Sequence, residues 1–168
     1  MKYLALFTIC LAFLACNNHQ SPEKYIESIK KLEANASLAQ SDTLINSYIQ
    51  FSKQFPDHKL APLFMFKAAQ SYVKSNQVLK GVRLYEAMAT QYKSDSLAPE
   101  ATICAAVGLE SLNDPANAKR LFDQFVKNYP DHPRANEVKS MSEAVGLSDE
   151  ELLKRFSQKN LSDSATAK

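Results

Sequence analysis

Apolar positions along the chain return in helical phase and then return again 37 residues later. Ala68, Ala69 and Tyr72 share one helical face at spacings of three and four, and Gly81, Leu84, Tyr85 and Met88 share another. Four series repeat at the same interval: Ala61, Ala98 and Ala135; Phe55, Tyr92 and Tyr129; Tyr48, Tyr85 and Phe122; Phe51, Met88 and Phe125. A doubled shift lays Phe55-Pro56-Asp57-His58 over Tyr129-Pro130-Asp131-His132. Such internal self-similarity marks a solenoid of stacked units. Each unit reads as two helices, near Leu60–Lys74 and Gln77–Tyr92 in the first and near Ala98–Ser111 and Pro115–Tyr129 in the second. Small residues at Ala69 and Gly81 allow the two helices to approach closely, with Tyr72 and Tyr85 filling the space beside them.

Flanking elements follow from stop and start signals. Ser21-Pro22-Glu23 opens a helix whose apolar stripe is Tyr25, Ile26, Ile29 and Leu32. Ser41-Asp42 opens the next. A helix near Pro133–Val145 ends at Gly146, a C-cap. Ser148 with Glu151 forms a capping box, and Leu152, Leu153 and Phe156 give the last helix an apolar face with which to close the end of the stack. Residues 159–168 are polar and have little to bury, so a disordered tail is expected.

The spacing resembles the tetratricopeptide (TPR) pattern over roughly Ser41 to Gly146. Counting from Pro62, the family's small eighth place is Ala69 and Ala106, and its large eleventh place is Tyr72 and Leu109. Its small twentieth place is Gly81 and Ala118; its aromatic twenty-fourth is Tyr48, Tyr85 and Phe122. Pro56 and Pro130 close units, with Lys93 departing in the middle copy. The family period is about 34, so each unit holds three extra residues, most simply in the turn before its first helix. The resemblance implies an all-α, right-handed TPR-like solenoid of about seven to eight antiparallel helices spanning residues 22–158.

In TPR proteins the first helix of each unit lines a concave groove. The matching positions are Leu63, Phe66, Gln70 and Val73 in the first unit and Glu100, Ile103, Val107 and Glu110 in the second. Such a groove suits an extended segment or an amphipathic helix. Phe66 and Ile103, one unit apart, would form its floor. On a second reading, the flanking helices Tyr25–Leu32 or Leu152–Phe156 fold over these residues and bury them. Asparagines are absent from the places that would make a clamp for a C-terminal carboxylate.

The N-terminus changes the picture. Lys2 precedes a largely apolar run, Tyr3 to Ala15, too short to cross a bilayer but suited to a signal-peptide core. It ends in Phe13-Leu14-Ala15-Cys16. This looks like a bacterial lipoprotein signal over residues 1–15, with Cys16 lipidated and residues 16–21 a short tether to the membrane. The alternative is an ordinary secretory signal cut near Ala15, which leaves Cys16 a free thiol. Cys10 then leaves with the signal and Cys104 lies among apolar neighbours, so no disulfide pair is expected.

Composition narrows function by exclusion. A formal charge of +2 without a basic run gives no footprint for nucleic acid. Three glycines and no Asn-Gly or Asp-Gly pair argue against hairpins. His58 and His132 occupy the same repeat place after Pro-Asp and read as turn residues, and the acids at helix starts read as caps. No phosphate loop, nucleophile elbow or metal-ligand spacing is present, so neither a catalytic set, a cofactor nor a metal is expected. A lipoprotein signal joined to TPR units is similar to the BamD-like lipoproteins of outer-membrane assembly and to the envelope TPR partner of the Tol-Pal system. The resemblance implies a membrane-tethered adaptor that binds another envelope protein at the outer membrane, facing the periplasm. A regulatory subunit of a cell-wall enzyme, or an intrinsic enzyme, is the competing expectation.

Overall fold

A computed structural model describes residues 20–35, 37, 38 and 41–166, with side chains to residue 158. The expected leader, Cys16 and most of the expected tether lie outside the described residues. Among the described residues there are eight helices and no strand. They are α1 (Pro22–Ala34), α2 (Asp42–Gln54), α3 (Ala61–Lys74), α4 (Val78–Gln91), α5 (Ala98–Ser111), α6 (Pro115–Asn128), α7 (Ala135–Ala144) and α8 (Asp149–Thr166). From α1 to α7 each helix packs on the next.

The sequence period becomes a period of structure. α3, α5 and α7 begin 37 residues apart, and α2, α4 and α6 end 37 residues apart. Within a unit the helices are joined by three residues, 75–77 or 112–114. Each link holds an asparagine in the left-handed region, Asn76 at φ 60° and Asn113 at φ 57°, a conformation asparagine tolerates better than most residues. Between units the links are six residues long, 55–60, 92–97 and 129–134, which is where the extra residues of the long repeat are accommodated.

Those six-residue turns share one hydrogen-bond scheme. The N–H of His58, Asp95 and His132 donates to the carbonyl of Phe55, Tyr92 and Tyr129, at 3.0, 2.8 and 3.1 Å. Their own carbonyls accept from Ala61, Ala98 and Ala135 at 2.8, 3.0 and 2.8 Å. Their side chains accept as well. His58 Nδ1 takes the Leu60 N–H at 3.1 Å, Asp95 Oδ1 the Leu97 N–H at 2.9 Å, and His132 Nδ1 the Arg134 N–H at 3.2 Å. The two imidazoles stand edge-on to buried rings, Phe51 at 5.2 Å and Phe125 at 5.2 Å. The middle unit, with Asp95, has Met88 at the corresponding place. The histidines are thus turn residues.

Two buried clusters meet across α3. Phe64 and Ala68 join Ile29, Leu44, Ile45, Tyr48 and Phe51 from α1 and α2. Met65, Phe66 and Ala69 face the other way, toward a cluster that runs through α4, α5 and α6 to Val138 on α7. Close approach rests on small residues, since a Cβ added at Gly81 would stand 2.9 Å from the Ala69 carbonyl oxygen. Ala118 fills the same place on α6 and is fully buried.

The end of the stack differs from expectation. α8 does not close it: Leu153 and Phe156 are 69% and 63% exposed. Ser148 and Glu151 do form the capping box, with the Glu151 N–H on Ser148 Oγ at 3.3 Å and the Ser148 N–H on Glu151 Oε2 at 2.8 Å. Beyond that, α8 is pinned to α7 by Arg155, which reaches the Glu143 carbonyl and its carboxylate. Two physical reasons account for the splay. The outer face of α7 is polar, with Asn136, Lys139, Ser140 and Glu143 all exposed, so there is little apolar surface to cover. One period after Gly81 and Ala118 comes Arg155, too large for the close contact those residues make. α8 also carries on to Thr166, so helix replaces most of the disordered tail that composition suggests from residue 159. A capped start lets each further residue add a backbone bond, and neither glycine nor proline interrupts Lys159–Thr166.

Candidate partner-binding groove

The first helices of the units expose a stripe that begins at Leu63 and Lys67 on α3 and continues at Glu100, Cys104, Val107 and Ser111 on α5. Where α3, α4 and α5 meet, they leave a concavity of about 390 Å³. Val73 closes one side, Val78 and Tyr85 of α4 form the back, and Glu100, Ile103, Cys104, Val107, Gly108 and Ser111 form the other side; Arg134 stands at its rim. Val73 and Val107 present open apolar surface, at 37% and 43% exposure.

Four of the eight residues expected in the groove are therefore brought together here: Val73, Glu100, Ile103 and Val107. Leu63 is half-buried, and Gln70 and Glu110 are exposed and do not line the concavity. Phe66 does not form an open floor. It is 7% exposed and lies edge-on to Tyr85 at 5.2 Å. The reason is helical phase: Pro62, Phe66, Ala69 and Val73 share one stripe, and Ala69 and Val73 are what α4 meets at Gly81. Ile103 occupies the same phase on α5 and, although it lines the concavity, is only 3% exposed. The two large floor residues belong to the core, and the open apolar surface is valine.

Charges flank the groove in matched pairs. At the α3 end, Lys67 Nζ and the Tyr48 hydroxyl both donate to Glu33 Oε1 at 2.7 Å, tying α1, α2 and α3 together. Burial pushes the Glu33 carboxyl up, but hydrogen bonds from Lys67 and Tyr48 and the charges of Lys67 and Lys30 outweigh it and hold the group below the usual range. Burial and the Glu33 carboxylate push the Tyr48 hydroxyl well above its usual value. At the other end, Arg134 is bidentate to Glu137, with both bonds at 2.9 Å, and reaches Glu100 at 2.7 Å. A third pair, Arg120 to Glu86 at 3.1 Å, joins α6 to α4. Each of these inter-unit pairs spans 34 residues, so the charges stitch next-but-one helices rather than facing the groove unpaired.

Sequence reasoning missed the contribution of α4 and of Arg134. Tyr85 and Val78 belong to the second helix, which the repeat logic assigns to the interior. For Arg134 a signal existed: it follows Leu60 and Leu97 in the same repeat place, and a charge among leucines is conspicuous. Cys104 is no activated nucleophile, because burial first and then Glu100 push its thiol up, away from the thiolate. Burial likewise raises the Glu110 carboxyl. Among the described residues no group of three or more His, Cys, Asp or Glu could hold a metal ion, and no helix is long and apolar enough to cross a membrane.

Residues 105–132, from the middle of α5 through α6 to the His132 turn, match the family described as Tetratricopeptide repeat. The fold is a TPR-like α-solenoid. No curated protein matches the chain. TPR repeats generally bind protein or peptide partners, and an all-helical TPR-like fold is typically a scaffold rather than a catalyst.

Proposed function

We propose that this chain is a membrane-tethered, non-catalytic adaptor whose groove holds a segment of another cell-envelope protein. The observation that carries the reading is the pair Val73 and Val107, open to solvent in a concavity whose flanking charges are already paired. Such a surface favours an apolar face over a charged ligand, and an amphipathic helix or an extended strand supplies one. Tethering is drawn from the leader pattern that ends at Cys16, and with lipid on that residue the short tether keeps the solenoid near the membrane. An outer-membrane assembly or maintenance role, like those of BamD-like and Tol-Pal-associated TPR proteins, agrees with that arrangement.

The deciding experiment is capture of partners by tagged protein from detergent-solubilised envelopes, comparing the natural chain with Val107→Glu, alone and combined with Val73→Thr. The expected result is a specific partner recovered with the natural chain and lost with the variants, while helicity and melting stay the same. Equal recovery by all three proteins would place binding elsewhere.

A further inference from the structure

The turn scheme that joins the units has one consequence for proton binding. A backbone N–H can only donate, so the ring nitrogen that accepts it must carry its lone pair. His132 Nδ1, 3.2 Å from the Arg134 nitrogen, is therefore unprotonated in the folded protein, and the ring proton sits on Nε2. A second proton can reach this imidazole only at Nδ1. It would turn the acceptor into a donor aimed at a donor, and the bond would be lost. The donor in question belongs to the residue whose guanidinium spans Glu100 and Glu137 at the groove rim.

We propose that the His132 turn is an acid-sensitive latch on α7: protonation at Nδ1 frees the Arg134 N–H, loosens the start of α7 and unsettles the Arg134 bridge across the rim. The proton comes from solvent. The bond exists while Nδ1 carries its lone pair and is lost when that nitrogen is protonated. The charged residues nearest the ring along the chain are Lys127 late in α6, Asp131 in the turn, and Arg134 and Glu137 at the start of α7, the last two paired with each other.

The other two turns set the contrast. His58 has the same geometry, with Lys53 late in α2 and Asp57 and Lys59 in the turn. In the middle turn the acceptor is Asp95 Oδ1, and a carboxylate remains an acceptor across the range in which an imidazole titrates. The latch therefore has no counterpart at the junction between α4 and α5. The latch concerns α7 whether or not the groove is occupied, so it stands apart from the adaptor reading.

The test is made on the full-length protein at about pH 7.5 and about pH 5.5, on either side of an ordinary histidine titration. Long-range ¹H–¹⁵N spectra at the higher pH read the tautomer of His132. Amide exchange, corrected for the intrinsic effect of pH, reads the opening of α7 against α5 as internal reference. The expected result is an Nε2–H tautomer and about a threefold to tenfold loss of protection in α7 at the lower pH, as suits one lost hydrogen bond. His132→Asn and His132→Asp, the second reproducing the Asp95 arrangement, should both remove the pH effect; if the Asn variant fails to fold, the Asp variant carries the comparison. An Nδ1–H tautomer, or an equal loss of α7 protection in the natural chain and the folded variant, overturns the proposal.

Discussion

Gly81 and Gly108 both sit in helices, where alanine is ordinarily the better residue by about 0.8–1.0 kcal/mol. Their surroundings predict opposite outcomes for the same change. A Cβ at Gly81 would meet Val73 Cγ2 at 2.5 Å and the Ala69 carbonyl oxygen at 2.9 Å. The valine could turn, but the carbonyl belongs to the backbone of α3 and moves only if the helix does. Overpacking of this kind costs about 1–3 kcal/mol, so Gly81→Ala should destabilise by up to about 2 kcal/mol after the gain in propensity. A Cβ at Gly108 would meet Val82 Cγ2 at 2.5 Å, and the next neighbour, Val78 Cγ1, only at 3.6 Å. Turning Val82 off its rotamer costs about 0.5–1.5 kcal/mol, which nearly cancels the propensity gain. Thermal melting of the two variants side by side reads the difference. At about 2–4 °C per kcal/mol for a chain of this size, Gly81→Ala should melt a few degrees below Gly108→Ala. If Gly81→Ala melts at or above Gly108→Ala, the close approach of α3 and α4 is not what holds the unit together.

Phe66→Ala should cost about 3–5 kcal/mol and Ile103→Ala about 2–5 kcal/mol in urea unfolding, because both are core residues; a loss of partner capture at unchanged stability would return them to the groove. Glu33→Gln should remove part of the acid sensitivity of folding. The folded carboxyl of Glu33 is held low, so its contribution is present above the unfolded titration range and lost as pH falls. A partly exposed pair of this kind is worth under about 1 kcal/mol, read as a smaller stability difference between neutral and mildly acidic pH in the variant. Phe156→Ser should leave the melting temperature unchanged, since α8 stands off the stack; a marked drop would show that α8 packs as a closing helix. Cys16→Ala, judged by mass spectrometry and membrane fractionation, should abolish lipid attachment, and normal attachment in the variant would refute the leader reading.

Much of the solenoid could be read from residues because each unit solves the same packing problem. The helix starts at Ala61, Ala98 and Ala135 and the ends at Gln54, Gln91 and Asn128 follow the repeat, and the close contact made by Gly81 is visible as a small residue among large ones. What escaped was whatever broke the repeat or depended on rotation about a helix. Placing Phe66 on an open floor mistook the stripe it shares with Ala69, which faces the second helix; Ile103, in the same phase, lines the concavity but is itself buried. The rim arginine is one departure from a leucine series, and the standing of α8 follows from another, Arg155 in a place kept for small side chains. Cross-links between units, such as Glu33 with Lys67, lie 34 residues apart in a 37-residue period and so appear in no single alignment of the copies.

The identical phase of α3, α5 and α7 makes the chain divisible. Excising residues 61–97 would join Leu60 to Ala98, and Ala98 already follows a leucine, Leu97, in the natural chain. The same six-residue turn would precede it, with a histidine side chain in the accepting place instead of an aspartate. Duplicating those residues would join Leu97 to Ala61, again a leucine followed by the alanine that opens a helix. Length can therefore change in whole cassettes with the turn kept at the seam, while the helices that meet there after excision, α2 and α5, would form a pair that does not pack together in the natural chain.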